Sequence, residues 1–249
     1  MKRKSKPLGE RLYEELCRDI IHGRIVAGNN LLAERKLAES RGLNRGAVRE
    51  AMKRLAQMRL IRTVHGGGNR VEDWREVAGL ELLPELLVGD TGLPDFAMLR
   101  GLLEMRASLA VDAARLTAQR ATPEQVEALD AVVQSMRRRQ SDTESLQAEV
   151  QRFWLLLARA AANQVYVMAF NSLDLCWQRY GAHLRHLLSD ELKAVNDYAA
   201  IVKACQRRDP ELAAKHARQL VQVATNQIEK MAANHQQRQA VNNGDLFAF

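Results

Sequence analysis

Two short helical patterns meet across the turn Arg41-Gly42-Leu43-Asn44, and two β-prone runs around three consecutive glycines follow directly. Few folds accept that succession. The spacing predicts a first helix from Leu8, where Leu8, Leu12, Leu16 and Ile20 recur every fourth residue behind Pro7, a residue suited to a first helical position. It should stop near Gly23, and the stretch from Gly23 to Asn30, with two glycines and two asparagines, reads as a loop. A second helix is expected over about Glu34 to Ser40, closed by Gly42 as a C-cap glycine. Asn44 is a suitable cap for a third, from Arg45 to about Met58.

In the third helix Val48, Met52 and Leu55 make an apolar stripe, while Arg45, Arg49 and Lys53 at i, i+4, i+8 project from another side. A cationic outer face is common on solvated helices. On the second member of a close helix pair, it is also the arrangement in which a recognition helix enters the major groove, where arginine pairs bidentately with guanine. Next come Leu60-Ile61-Arg62-Thr63-Val64, His65-Gly66-Gly67-Gly68-Asn69 and Arg70-Val71, a hairpin with a tip whose backbone can approach a phosphate closely. His-Gly-Gly-Gly is also the oxyanion loop of some esterases, but the G-x-S-x-G elbow such enzymes need is absent from the sequence. Nor does a Lys-Ser/Thr follow the glycines, as a phosphate-binding loop requires. No catalytic residue is assigned, and no cofactor is implied.

Charge separates the chain into two parts. Residues 1–75 carry 18 Lys and Arg against 9 Asp and Glu, whereas the remainder carries 19 against 21. A basic module on a near-neutral one predicts that only the N-terminal part meets a polyanion. No apolar run reaches the length of a membrane span, and residues 1–6 are basic without the apolar core of a signal peptide, so a cytoplasmic protein is expected, with no membrane partner. Cys17, Cys176 and Cys205 are far apart and odd in number, which fits reduced packing cysteines.

Residues 8–72 resemble the GntR family of regulators, whose pattern is L-x-x-E-R-x-L-A, then R-x-x-V/L-R-E-A-L-x-x-L, then a glycine-bearing wing. The chain has Leu31-Leu32-Ala33-Glu34-Arg35-Lys36-Leu37-Ala38, then Arg45-Gly46-Ala47-Val48-Arg49-Glu50-Ala51-Met52-Lys53-Arg54-Leu55, then His65-Gly66-Gly67-Gly68. The resemblance implies a winged helix-turn-helix over 1–72. Arg35, Asn44, Arg45, Gly46, Arg49 and Lys53 would lie on operator double-stranded DNA, with His65, Gly66 and Gly67 reaching the minor groove. The family usually has Pro at the position of Leu32, and often Ser or Thr at those of Gly46 and Ala47, which leaves fewer hydroxyl contacts here.

From Pro94 onward helical periodicity is almost unbroken. Leu99, Leu102, Leu103, Arg106, Leu109, Ala110 and Ala113 mark one long helix, and Thr122-Pro123-Glu124-Gln125 is a capping box that opens the next. Further helices are expected near 144–162, 164–188, 190–207 and 210–235. The fold class is therefore mainly α, with an antiparallel six-helix bundle over 94–236, a linker with a short helix at 73–93, and a polar tail at 237–249 from which Leu246, Phe247 and Phe249 could dock.

Bundles of this kind resemble the FCD-type sensor domains of the FadR branch of that family, which implies a homodimer and a small-molecule effector, a carboxylate or an acyl-CoA. Most members hold a metal through one aspartate and three histidines. Aligned by the resemblance, those four positions fall at Val150, Trp154, Tyr198 and Leu220, so no metal is expected there. His183 and His186 at i, i+3, with His216, are read as ordinary surface or helix-end residues, the alternative being a zinc site if His216 comes close to the pair. Arg106 matches a family arginine that points into the bundle and can pair with a ligand carboxylate or phosphate; an internal salt bridge to a glutamate on a neighbouring helix is the alternative. Trp154, Asn171 and Tyr198 are further candidates for the effector site, or plain core. Acyl-CoA-responsive relatives are echoed at 71–83 and at 180–186, but their Gly-x-Glu-Ser-Gly run is replaced by Val221-Gln222-Val223-Ala224-Thr225. An effector-independent DNA-binding protein whose helices only dimerise is the alternative function.

Overall fold

The computed structural model describes residues 6–65 and 67–244, with side chains described through residue 235 apart from Leu187. Gly66 of the expected wing tip, and Leu246, Phe247 and Phe249 of the expected tail, lie outside the described residues. The chain forms two compact units, 1–95 and 96–249.

In the first unit, α1 (Leu8–Ile21) buries Leu12, Tyr13, Leu16, Cys17, Ile20 and Ile21. Leu8, expected on that face, is 47% exposed. A strict four-residue repeat advances about 400° per step and so drifts about 40° around the helix each time, which carries the first member of the series off the core. Helix α2 (Glu34–Arg41) ends at Gly42, whose φ of 60° is the left-handed conformation that closes a helix without a Cβ clash. Helix α3 (Arg45–Gln57) starts at Asn44, whose side-chain carbonyl accepts the Ala47 N–H at 2.8 Å. Val48, Ala51, Met52 and Leu55 of α3 face the core.

Strands β1 (Ile61–Val64) and β2 (Gly68–Val71) pair antiparallel, with Ile61 opposite Val71, Arg62 opposite Arg70 and Thr63 opposite Asn69. Buried Ile61 and Val71 root the hairpin in the core. The stretch before α2 runs along the free edge of β2. Gly28 and Leu31 donate their N–H groups to the carbonyls of Val71 and Asn69, and Val71 donates to Asn29, all at 2.8 Å.

Residues 73–93, expected as a linker with one short helix, hold α4 (Trp74–Val77), a 3-10 turn (Leu80–Leu82) and α5 (Leu83–Leu86). They pack on the first unit. Leu82 is fully buried in its core, the Trp74 indole N–H donates to the Ile21 carbonyl at 3.3 Å, and Tyr13 donates to Glu85 at 3.3 Å. The apolar run Leu80, Leu82, Leu83, Leu86 explains why the segment cannot stay in solvent.

The second unit is built from six long helices: α6 (Phe96–Arg120), α7 (Pro123–Arg138), α8 (Thr143–Ala160), α9 (Gln164–Leu187), α11 (Val195–Gln206) and α12 (Pro210–Gly244). A five-residue segment, α10 (Ser189–Lys193), breaks the helix expected over 190–207, and α12 continues past the expected end at 235. Helices α6 and α12 run antiparallel: the Phe96 ring meets His235 at 5.5 Å, and Arg208 donates to the Gln119 carbonyl at 3.3 Å at the other end. Buried alanines line both (Ala110, Ala113 and Ala114 against Ala213, Ala217 and Ala224), which lets the backbones come close. Thr122 and Gln125 form the capping box of α7, and Asp142 and Asn163 cap α8 and α9. Tyr180 leaves helical geometry inside α9 at φ −121°, ψ 18°, and kinks it. No helix among the described residues is long and apolar enough to cross a membrane.

Two glycines should respond oppositely to alanine. A Cβ at Gly9 would stand 2.9 Å from the Ala47 carbonyl oxygen, where α1 crosses α3. Gly9→Ala is expected to destabilise the first unit by ~1–3 kcal/mol through overpacking. Gly101, inside α6, has open space at the same position. Gly101→Ala should stabilise the second unit by ~0.5–1 kcal/mol, as read by urea unfolding.

Candidate nucleic-acid interface and effector cavity

The cationic face of α3 is free in the sense that matters for a polyanion. Arg49 and Lys53 have side chains 63% and 62% exposed, and their only carboxylate partners among the described residues are Glu34 at 3.7 Å and Glu50 at 3.2 Å. Arg35 on α2 touches Glu39 at 3.9 Å, and Arg45 is exposed with no ion pair among the described residues. Exposed pairs of this kind contribute ~0–1 kcal/mol each, so a phosphate exchanges with them readily. The contact between Glu34 and Arg49 brings the start of α2 to the middle of α3. Gly46 leaves room beside the cap, where a Cβ would come within 3.2 Å of the Asn44 side-chain oxygen.

The wing carries two further cations that periodicity did not single out. Arg62 and Arg70 are directly opposed across the hairpin, a like-charge pair that is unfavourable unless an anion lies between or beside them. Glu72 pairs with Arg62; Arg70 has no carboxylate partner among the described residues. Only the strand register, Arg62 to Arg70, reveals the pairing. His65 and Gly67 sit at the exposed tip, about 10–13 Å of strand away from the rooted base. Gly67 folds back on Val64, whose side chain a Cβ there would meet at 3.1 Å.

In the second unit, Arg106, Trp154 and Asn171 come together around one cavity of about 260 Å³, between α6, α8 and α9. Val150, Leu155, Phe170, Leu173 and Trp177 are the rest of its apolar lining. Tyr198 does not reach this cavity. It stands behind Trp154, fully buried, with ring centroids 6.0 Å apart from Trp154 and 5.0 Å from Phe153, both edge-on. Arg106 is 7% exposed and gives two hydrogen bonds to Glu191 of α10, one of them at 2.8 Å; the other is the closer contact, from Nη2 to Oε1. Burial, the largest single influence, would lower the guanidinium pKa, but the charge and the hydrogen bonds of Glu191 together outweigh it and hold Arg106 firmly protonated. The Tyr198 hydroxyl donates to the same carboxylate at 3.3 Å, and burial, helped by that negative charge, raises the phenol well above its ordinary range. The Trp154 indole N–H lies near Tyr198 but has no hydrogen-bond partner of good geometry. Glu191 was legible only as a charge within the apolar series Leu184, Leu188, Leu192 and Val195.

The positions at which the resemblance puts metal ligands hold two aliphatic side chains, an indole and a phenol kept neutral, so these residues do not fit a divalent cation. Among the described residues no group of three or more His, Cys, Asp or Glu is placed to hold one elsewhere. Cys17, Cys176 and Cys205 are buried and form no disulfide, and burial pushes the Cys176 thiol up to about 11 and that of Cys205 up to about 12.

Residues 8–71 match the family model for bacterial regulatory proteins of the gntR family, and residues 101–223 match the FCD domain. The chain is 32% identical over 241 residues to the HTH-type transcriptional regulator Mce2R of Mycobacterium tuberculosis, covering 95% of this chain and 97% of that one. This protein belongs to the GntR family, with an FCD domain. It is a DNA-binding transcriptional regulator, not an enzyme. The regulator is also 27% identical to the Glc operon transcriptional activator of Escherichia coli, over 97% of each chain. Its identity to the fatty acid metabolism regulator protein of Yersinia enterocolitica is 28%, over 78% of this chain and 80% of that one. The fold is similar to that of Lar, which controls the Listeria monocytogenes agr system, with a TM-score of 0.62, 21% identity, and coverage of 92% and 99%.

The unpaired wing arginine generates a test. Arg70→Ala should weaken binding to specific and random duplexes alike and lower the slope of log affinity against log salt by about one, as expected for one lost phosphate contact. A loss confined to one sequence would instead make Arg70 a base-reading residue.

Proposed function

We propose that this regulator is a ligand-responsive repressor that binds a pseudo-palindromic operator as a homodimer, with a metal-free sensor for a small organic acid in its FCD domain. Arg45, Arg49 and Lys53, with Arg35 beside them, would lie in the major groove, and His65, Gly66 and Gly67 would follow the adjacent minor groove. Two-fold symmetry would set two such heads in successive grooves. Action on an operator implies a cytoplasmic protein.

The observation that carries the sensor reading is the cavity walled by Arg106, Trp154 and Asn171. Its volume of about 260 Å³ lies below the span of ~300–1,000 Å³ usual for sites enclosing drug-sized ligands. That favours a small organic acid over an acyl-CoA. A ligand there would act by preferring one arrangement of the DNA-binding heads over another. Burial of Trp154 and Tyr198 at former metal-ligand positions is the observation that favours the second reading, a helical domain that only dimerises. The cavity beside Trp154 remains, and this weighs for the sensor.

Sedimentation should find a dimer, and binding to a duplex selected from a random pool should fall by ~1–3 kcal/mol in Arg49→Ala, with little change on random DNA, if Arg49 reads a base. A thermal-shift screen of small organic acids and acyl-CoAs, with and without EDTA, should give a saturating rise for small acids that EDTA does not alter. No stabilisation by any acid would move the dimerisation reading ahead. A reporter assay decides the sign, which the name of the Escherichia coli activator leaves open.

A further inference from the structure

Arg106 is a guanidinium held at the wall of a cavity by a carboxylate that the chain itself supplies. Glu191 is 2% exposed and takes two of the five guanidinium N–H donors, the pairing that a bound carboxylate would make. What delivers it is a weak element. Helix α10 has five residues and no side-chain cap, and lies between the non-helical Leu188, at φ −113° and ψ 22°, and the break at Ala194, at ψ 49°. Arg106 lines both the main cavity and a small apolar one formed with Leu99, Leu103, Cys176 and Leu188. The neighbouring Trp154 N–H, nine-tenths buried, lacks a partner of good geometry.

We propose that Glu191 is an internal stand-in for the ligand: it occupies Arg106 in the empty protein, and an incoming small carboxylate takes over the guanidinium and releases Glu191 together with α10. The exchange replaces one arginine–carboxylate pair by another, so the intrinsic pairing energies nearly cancel. Hydration of the freed Glu191 and burial of the ligand's apolar part in the cavity drive it. The Trp154 N–H is left to donate a hydrogen bond to the incoming carboxylate. Because Glu191 competes for the arginine, it also sets the threshold concentration and favours ligands bearing a single compact carboxylate. The inference rests on the sensor reading above and adds the residue that opposes the ligand.

Chemical rescue tests it on the full-length protein. Glu191→Ala leaves Arg106 buried and unpaired, so its melting temperature should fall by several degrees. Formate or acetate should restore it saturably, while chloride at equal ionic strength should not, and the wild-type protein should need at least tenfold more acetate for any response. Should Glu191→Ala fail to fold, Glu191→Gln keeps the shape of the side chain and removes its charge. Titration with acetate, followed by tryptophan fluorescence, should then saturate at least tenfold lower than in the wild type. Rescue no better than chloride, or a variant as stable as the wild type, overturns the proposal and makes the pair a sealed structural contact. If an organic acid still alters operator binding of the wild type in that case, the sensor reading survives without Glu191. If rescue succeeds but no acid alters operator binding, the exchange stands and the sensor reading falls.

Discussion

A guanidinium taken out of water must find its countercharge inside the fold, and the second unit is arranged around that requirement. An isolated buried ion is costly by several kcal/mol even after relaxation, so Arg106 dictates where a carboxylate has to be. Glu191 reaches it only because the chain interrupts its helices on both sides: α9 kinks at Tyr180, and Ala194 separates α10 from α11. Tyr198 then spends its hydroxyl on the same carboxylate, which fixes the ring that Phe153 and Trp154 pack against edge-on. An aromatic cluster, a broken helix and a cavity wall thus share one electrostatic origin.

The first unit follows the opposite rule. Its core is almost wholly apolar, and Arg35, Arg49 and Lys53 are left at the surface in shallow pairs with Glu39, Glu34 and Glu50. Stability comes from the packing of α1 on α3, with Gly9 against Ala47, and from Ile61 and Val71 at the hairpin base. The charges on Arg45, Arg49, Lys53 and Arg70 contribute little to folding and are therefore available to DNA. Separation of the two duties explains how a basic surface coexists with a well-formed core.

Much of the first unit was legible in the residues. Asn44, Gly42 and the β-prone runs around the three glycines each have a single local meaning, and they mark the helix pair and the wing without help from tertiary contacts. Leu8 misled because a four-residue repeat imitates a helical face over two turns and then rotates away from it. The short, broken pattern of residues 73–93 reads as a linker, but Leu82 and Trp74 are claimed by the first core, and no local signal says which core will claim an apolar residue. In the bundle the capping box at Thr122 is visible in the sequence, whereas the break at Ala194 is not: neither side of it carries a capping side chain or a proline. Arg106, Trp154 and Asn171, candidates on sequence grounds, line one cavity. Tyr198, a candidate on the same grounds, serves the ion pair behind it instead.

The edge pairing of residues 28–31 with β2 has a mechanical consequence. Because the peptide that leads into α2 is hydrogen-bonded to the wing on one side, while β1 leads back to α3 on the other, the hairpin cannot swing without dragging the helix pair along. The wing and the helix pair therefore move as one piece, and any displacement of the one is a displacement of the other.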